Sequence, residues 1–254
     1  MGGVSSPSYV LLPPSEAKEP GGRPGAEPGL FDDSLAEPRA QVLVALSSLV
    51  RGASSLEVGR IMKARGALLE RALDSTRRLA DGSAALLPAW QRYSGVVWSH
   101  LDATTLDDET RRRVLVPSGI YGLSCATDAI ADYRLSMNVG LAGVGNVATF
   151  WRPCVTGVLE AMSNATFVSL LPKEHAAAIA QSTKLEDRLV TVSFLRHGGA
   201  GVAGHDAKAV KGVVARRVLL HGVDSVDGFR WKGWRGRLHH DAYEVRAPRI
   251  APRP

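Results

Sequence analysis

The pattern of apolar and polar positions at the amino-terminal end predicts a strand, a loop and then a helix. Residues 9–12 form a short apolar run that ends at Pro13-Pro14, which predicts a buried strand. Residues 19–38 contain four prolines and four glycines, which predicts a long loop. Over residues 39–50, apolar side chains recur on one helical face, which predicts the first helix.

Capping signals and periodicity predict the other helices. Ser54-Ser55-Leu56-Glu57 resembles a capping box that begins a second helix, and apolar residues recur at helical spacing over residues 66–79. The pattern of apolar residues predicts two more helices, over residues 155–162 and 206–220.

Short apolar runs in the middle and at the end of the chain predict the strands. Residues 166–171 and 189–195 are the clearest, residues 94–99 and 114–116 are strand-like or buried, and residues 241–245 predict a closing strand. Helices and strands intermix without a fixed repeat. We therefore expect an α+β (mixed α/β) fold, a single compact domain over residues 9–246 with disordered ends at residues 1–8 and 247–254.

The composition is that of an ordinary globular protein. The chain has 254 residues, of which 45% are hydrophobic and 22% charged, so it can bury a core without a disulfide or metal. No apolar run reaches the roughly 18 residues of a membrane helix, and the first residues lack a signal-peptide pattern. The two cysteines, Cys125 and Cys154, indicate a reducing compartment. We expect a cytoplasmic monomer without membrane contact.

The positive charge is concentrated near the carboxyl end. Residues 188–254 hold 13 Lys and Arg against 5 Asp and Glu, whereas the net charge of the whole chain is +6. Such a region, which also contains Trp231 and Trp234, suits a polyanion such as DNA. The basic residues of the predicted helix, with Lys208 and Lys211 three positions apart on one face, are the DNA-binding candidates: Lys208, Lys211, Arg216 and Arg217.

Two other kinds of site are weaker hypotheses. Residues 199–204 match the G-x-G-x-x-G dinucleotide pattern, but too little chain follows for the rest of a dinucleotide-binding domain. Residues 188–254 also contain five histidines, yet none lies in a metal-binding motif. We therefore expect no cofactor and no metal, and a flexible loop at residues 199–204.

Three polar segments resemble, in their order, the peroxide stress protein YaaA family. The first is Pro13-Pro14-Ser15-Glu16-Ala17-Lys18, and the second is Tyr93-Ser94-Gly95-Val96-Val97-Trp98. The third, the most specific, combines Ser118-Gly119-Ile120-Tyr121-Gly122, Asp128 and Tyr133-Arg134-Leu135-Ser136-Met137. The family usually has an arginine after this glycine hairpin, where the present chain has Ser124. The resemblance extends over about residues 9–245.

The resemblance implies a basic cleft, a helix-hairpin-helix-like element and binding of double-stranded DNA that limits peroxide damage. We expect sequence-nonspecific binding, because backbone amides and cations contact phosphates without reading bases. The alternative is an enzyme acting on a small phosphorylated or nucleotide ligand, although a non-enzymatic role is favoured. The enzyme would use a pocket formed by residues of the matching segments, whereas DNA would need an open basic groove. The pocket candidates are Ser15, Lys18, Arg92, Tyr93, Gly119, Tyr121, Gly122, Asp128, Tyr133 and Arg134.

One expectation tests whether that pocket exists. Lys18 and Arg134 lie far apart in sequence, and both belong to the matching segments. We therefore predict that they approach each other or a common anion. A third possibility, an iron-handling or interaction protein that does not touch nucleic acid, needs no such pocket.

Overall fold

A computed structural model describes residues 7–25, 27, 29–196, 207–240 and 242–248. Among these residues lie nine α-helices: α1 Asp32–Gly52, α2 Ser55–Met62, α3 Ala67–Ala80, α4 Ala89–Arg92, α5 Val96–Leu101, α6 Asp108–Arg112, α7 Val147–Ala161, α8 Lys173–Ala176 and α9 Ala207–His221. The strands are β1 Ser8–Leu11, β2 Leu86–Pro88, β3 Val114–Ser118, β4 Gly122–Cys125, β5 Ala129–Ala131, β6 Gly140–Leu141, β7 Gly145–Asn146, β8 Thr166–Ser169, β9 Leu189–Leu195, β10 Arg230–Trp231, β11 Trp234–His239 and β12 Ala242–Arg246.

Eight strands form one mixed sheet in the order β10-β11-β12-β9-β8-β1-β3-β4. The central strands are parallel, since β1 pairs in parallel with both β3 and β8, and β9 pairs in parallel with β8 and β12. Strands β1 and β8 are neighbours. The next strand of this sheet after β1 is β3, on one side of the pair, and the next strand after β8 is β9, on the other side. The connections therefore diverge between β1 and β8. The carboxyl ends of the strands at such a divergence are where open α/β sheets usually bind ligands.

The mixed α/β fold expected from the sequence is confirmed. Helices α2, α3, α7 and α9 and strands β1, β3, β8, β9 and β12 all occur where the periodicity predicts them, within a few residues except at the start of α7. Ser54 caps α2 by accepting a hydrogen bond from the Glu57 amide at 3.3 Å, as the capping box predicts. No helix among the described residues has the length and apolar character required to cross a membrane.

The first helix begins earlier than predicted, at Asp32, and runs through Pro38. The expected loop over residues 19–38 is therefore wrong in its second half. Phe31 and Leu35 are buried in the core, and Asp32 and Asp33 suit the first turn of a helix. This packing outweighs the one backbone hydrogen bond that a proline removes.

The strand-like prediction for residues 94–99 is also wrong, because α5 occupies Val96–Leu101. Val97, Trp98 and Leu101 are buried on one side of that helix, which packs along α9. A short apolar run cannot by itself distinguish a strand from a buried helix. Of the ends expected to be disordered, Ser8 belongs to β1, and Ala247 donates its amide to the Leu195 carbonyl at 2.9 Å. Residues 199–204 lie outside the described residues.

Candidate functional site

A cavity of about 130 Å³ opens beside the segment that follows β1. We call it the Lys18 cavity. Three cationic and two acidic side chains line it together with tyrosine and small or apolar residues: Glu16, Ala17, Lys18, Leu68, Arg71, Ala72, Ser75, Asp132, Tyr133 and Arg134. The lining comes from three parts of the chain, namely the segment after β1, helix α3 and residues 132–134.

Backbone contacts hold Lys18 in place at the end of this segment. The Trp98 indole donates to the Pro13 carbonyl at 3.1 Å, and Lys18 forms a backbone bridge with Tyr93. Ser15 is buried, and its carbonyl accepts a hydrogen bond from Lys18 Nζ at 2.8 Å. The same ammonium lies 4.3 Å from the centre of the Tyr133 ring, a cation–π distance. Burial lowers the pKa of Lys18 to about 8.

Tyr93 and Tyr133 form a buried pair behind the lysine. Their hydroxyl oxygens are 2.7 Å apart, and both rings are almost completely buried. Burial raises the pKa of both phenols above the ordinary value of 10. Both tyrosines are therefore neutral at physiological pH and act as hydrogen-bonding groups rather than as phenolates.

Arg71 and Arg134 are the other cations of the cavity. Arg71 Nε lies 2.6 Å from Asp132 Oδ2, and Arg71 Nη2 donates to the Lys18 carbonyl at 2.9 Å. Arg134 donates to the carbonyls of Met62 and Lys63 at 2.8 and 2.9 Å. It therefore connects the cavity to the carboxyl end of α2. Lys18 and Arg134 line one cavity, so the two residues approach each other as predicted.

The glycine hairpin lies between β3 and β4, next to helix α7. The Trp151 indole donates to the Gly119 carbonyl at 2.8 Å, and the ring is fully buried. Gly122 has φ +66°, and a side chain there would lie within 3.0 Å of the Trp151 ring. The Tyr121 hydroxyl accepts a hydrogen bond from the Ala131 amide at 2.8 Å. Hairpin residues thus support Tyr133, whose ring lies 5.5 Å from that of Tyr121, without lining the cavity.

A family model described as peroxide stress protein YaaA matches residues 9–237 of the chain. The chain belongs to the peroxide stress protein YaaA family. It is 33% identical to a UPF0246 protein of Streptomyces coelicolor over 220 residues, which cover 84% of this chain and 83% of that protein. It is also 32% identical to a UPF0246 protein of Corynebacterium efficiens, with 82% of this chain and 83% of that protein covered. A UPF0246 protein of Corynebacterium glutamicum is 30% identical, with coverage of 83% and 84%.

Two residues of the YaaA-family pattern lie away from the Lys18 cavity. Arg92 is buried, and its guanidinium donates to four backbone carbonyls, those of Glu19, Gly21, Ala85 and Ile130. Asp128 accepts hydrogen bonds from the amides of Leu30 and Cys125 at 3.0 and 2.7 Å. Burial is the largest cause of the raised pKa of Asp128. Both side chains hold loops together, so the structure does not bring them to the cavity.

The basic residues of α9 are less available to a polyanion than the YaaA-family hypothesis assumed. Lys208 is exposed, but Lys211 Nζ donates to the Leu170 carbonyl at 3.1 Å, and burial lowers the pKa of Lys211 to about 8. Arg216 donates to the Leu101 and Asp102 carbonyls, and Arg217 donates to the Ser225 carbonyl. Lys208 and Lys211 therefore do not present equivalent cations on one exposed face, because α9 is packed against α5 and the sheet.

A basic turn between α2 and α3 is the element that sequence reasoning missed in this member of the YaaA family. Lys63, Arg65 and Gly66 are exposed there, and Lys63 Nζ donates to Asn138 Oδ1 at 2.7 Å. Lys63 has φ +52° and Gly66 has φ +53°, so the chain reverses tightly between the helices. The sequence does contain a pattern that indicates this turn, because two basic residues and a glycine, in Lys63-Ala64-Arg65-Gly66, separate two predicted helices.

A mostly buried histidine in helix α8, His175, is expected to lower the stability of the protein in acid. Within the described residues, His175 Nδ1 is buried and has no hydrogen-bond partner, since Glu174 Oε1 is 3.6 Å away. Burial, and secondly the charge of Lys211, lower the pKa of His175 from 6.5 to about 4. Between these values the unfolded chain binds a proton that the folded chain does not, so stability is lost as pH falls from 6.5 toward 4.

We therefore predict that His175→Phe makes stability less dependent on acid. From about pH 7 to about pH 5, the contribution of His175 lowers the unfolding free energy of the wild type by about 2 kcal/mol, and the variant should not show this loss. Urea unfolding at both pH values measures this, with the exposed His221→Gln as the control. Parallel pH profiles for wild type and His175→Phe would contradict the prediction.

Proposed function

We propose that this protein binds duplex DNA without sequence preference, as its part in the peroxide stress response. The proposal takes the stress response from the YaaA family and the DNA contact from the turn between α2 and α3. It puts the protein in the cytoplasm, where bacterial DNA is found. We call Lys63-Ala64-Arg65-Gly66 together with the first turn of α3 the basic turn.

The observation that carries the proposal is the way α3 begins. Gly66 is its N-cap and provides no side-chain hydrogen bond, so the first amides of the helix have no side-chain partner. Lys63 and Arg65 are exposed and immediately precede this helix in the chain. Amides at a helix amino terminus together with adjacent cations form a suitable contact for a backbone phosphate. In this proposal, α2, α3 and the turn between them serve as the helix-hairpin-helix-like element that the resemblance implies.

The contact should not depend on base sequence. Amides and cations bind phosphate oxygens, which are the same at every base pair, whereas sequence is read at base edges in the grooves. Helix α2 has only eight residues, and α3 would approach the duplex by its end rather than along its side. We therefore expect binding strength to depend on salt rather than on sequence.

The basic residues of α9 contribute less in this proposal than the charge distribution predicted. Three of the four candidates, Lys211, Arg216 and Arg217, donate hydrogen bonds to backbone carbonyls of the fold. Another exposed basic region is the β10–β11 hairpin, which carries Arg230, Lys232 and Arg235. That hairpin is at one edge of the eight-stranded sheet, whereas α1, against which α2 and α3 pack, contacts β4 at the other edge.

We predict that changing Lys63 and Arg65 together to Ala weakens binding to all duplexes alike. Each lost phosphate contact should flatten the slope of log affinity against log salt by about 0.9, so the double variant should lose about two units of slope. The measurement is fluorescence anisotropy of labelled random duplexes, titrated from roughly 50 mM to roughly 200 mM salt.

A matched control removes the same charge elsewhere. The double variant Arg230→Ala, Lys232→Ala takes two exposed cations from the β10–β11 hairpin and should leave the slope near that of wild type. If the hairpin variant loses the slope instead, the basic turn is not the contact. If wild-type protein does not bind duplex at roughly 50 mM salt, the proposal of DNA binding fails.

The second candidate is an enzyme that acts on a small phosphorylated ligand in the Lys18 cavity. Its support is Lys18 itself, because a lysine with a pKa of about 8 exchanges protons near physiological pH. The cavity volume argues against a whole nucleotide, since about 130 Å³ is well below the roughly 300 Å³ of small ligand pockets. Turnover of a phosphorylated metabolite that stops in Lys18→Met would favour this enzyme.

A further inference from the structure

The Lys18 cavity lies directly beside the basic turn. Leu68, in the first turn of α3, contributes to its lining, and Arg134 joins the cavity to the carbonyls of Met62 and Lys63. A strand of DNA held at the basic turn would therefore have the cavity next to it. Binding of the DNA backbone at the exposed basic turn would leave this cavity free for another part of the DNA.

The cations of the cavity keep hydrogen-bond donors for a ligand. A guanidinium has five N–H groups and an ammonium has three. Within the described residues, Arg71 and Arg134 each donate through Nε and Nη2, and Lys18 donates one hydrogen bond, to Ser15. The remaining donors, on three cations around about 130 Å³, suit a compact anion with several acceptor oxygens.

We propose that the Lys18 cavity takes the terminal phosphomonoester of a DNA strand, at a nick or an end, while the basic turn holds the adjoining backbone. This inference rests on the proposed DNA binding. An internal phosphodiester is tethered on both sides and lies along the surface of the duplex. A terminal phosphate is tethered on one side only, so it can enter a concave site.

Charge also favours the terminal group. A phosphomonoester carries about −1.5 to −2 charges at pH 7, whereas an internal phosphodiester carries one. Arg71 and Asp132 cancel each other's charge, so Lys18 and Arg134 provide the positive charge of the cavity, while Arg71 contributes only its remaining N–H donors. The Glu16 side chain is 83% exposed and lies 3.7 Å from Arg134. A bound dianion would favour the charged form of Lys18, which burial disfavours.

The test compares three labelled duplexes that differ only at one nick, which carries a 5′-phosphate, a 3′-phosphate or no phosphate. Wild-type protein should bind at least one phosphorylated nick about tenfold more tightly than the unphosphorylated nick. Lys18→Met keeps the aliphatic stem and should remove this preference, with binding to the unphosphorylated nick unchanged. Lys18→Arg keeps the charge and should retain part of the preference.

A second variant covers the case in which Lys18→Met does not fold. Glu16→Gln changes an exposed side chain at the rim of the cavity and should increase the preference for the phosphorylated nick about two- to threefold. The preference should also fall as pH rises from about 7 to about 9, because Lys18 loses its charge there.

Each result supports or overturns the inference. Equal binding of the three duplexes by wild type overturns it and leaves the proposed DNA binding intact, whereas binding of none overturns both. A preference that survives in a folded Lys18→Met overturns the assignment to this cavity. Inorganic phosphate and dAMP serve as competitors. If either removes the preference for the phosphorylated nick at concentrations near the dissociation constant of that nick, the ligand is a free phosphate or a mononucleotide and not a strand end.

Discussion

Replacing Arg92 with Met is expected to destabilise the protein by about 3 kcal/mol or more. The buried guanidinium donates to carbonyls of three separate segments, at residues 19–21, at Ala85 and at Ile130. Methionine fills a similar volume but donates nothing, so carbonyls that lie out of water lose their partners. Unfolding in urea measures the loss, and the midpoint should fall without a change in slope.

Two control variants separate the causes of that loss. Arg92→Lys keeps the charge but lacks the planar fork, so it too should be strongly destabilised. Arg78→Met removes an exposed arginine that pairs with Asp74 one helical turn away, and it should change stability by less than about 0.5 kcal/mol. If folded Arg92→Met had normal stability but bound no DNA, Arg92 would belong to the binding site and our interpretation of its role would be wrong.

Arg92 shows what kind of information the sequence lacks. Its position beside Tyr93 in a family segment predicts a cation for a ligand, but the sequence does not show whether its donors face a ligand or the backbone. Lys211 is a similar case, because helical spacing placed it beside Lys208 while packing turned its ammonium toward the Leu170 carbonyl. The roles of both side chains depend on contacts with residues that are distant in the sequence.

Other features followed from the sequence because their causes are local. The capping box at Ser54 fixed the start of α2, and the apolar spacing in α3 fixed its buried face. The shared position of Lys18, Tyr133 and Arg134 came from the family resemblance, since no spacing in the sequence brings residues so far apart together. The start of α1 was missed because prolines and glycines indicate a loop, and only tertiary packing of Leu35 overrides them.

The second large effect is expected for Gly122→Ala, which should destabilise the protein by about 3 kcal/mol or more. Two costs add at this position. The backbone has φ +66°, which an L side chain adopts with strain, and the new Cβ would lie within 3.0 Å of the Trp151 ring. That ring is fully buried and fixed by its hydrogen bond to the Gly119 carbonyl, so it cannot move aside.

Gly143→Ala separates these two costs. Gly143 has φ +80°, but nothing lies within 4 Å of the position that its Cβ would take. This variant should therefore lose only the backbone part, about 1 kcal/mol. Thermal unfolding of both variants measures the difference, which isolates the contact with Trp151. Because the hairpin supports Tyr133 through Tyr121, Gly122→Ala should also reduce the preference for a phosphorylated nick, whereas Gly143→Ala should leave it unchanged. Equal losses of stability in the two variants would show that backbone strain alone, and not the close packing of the hairpin on α7, requires glycine at position 122.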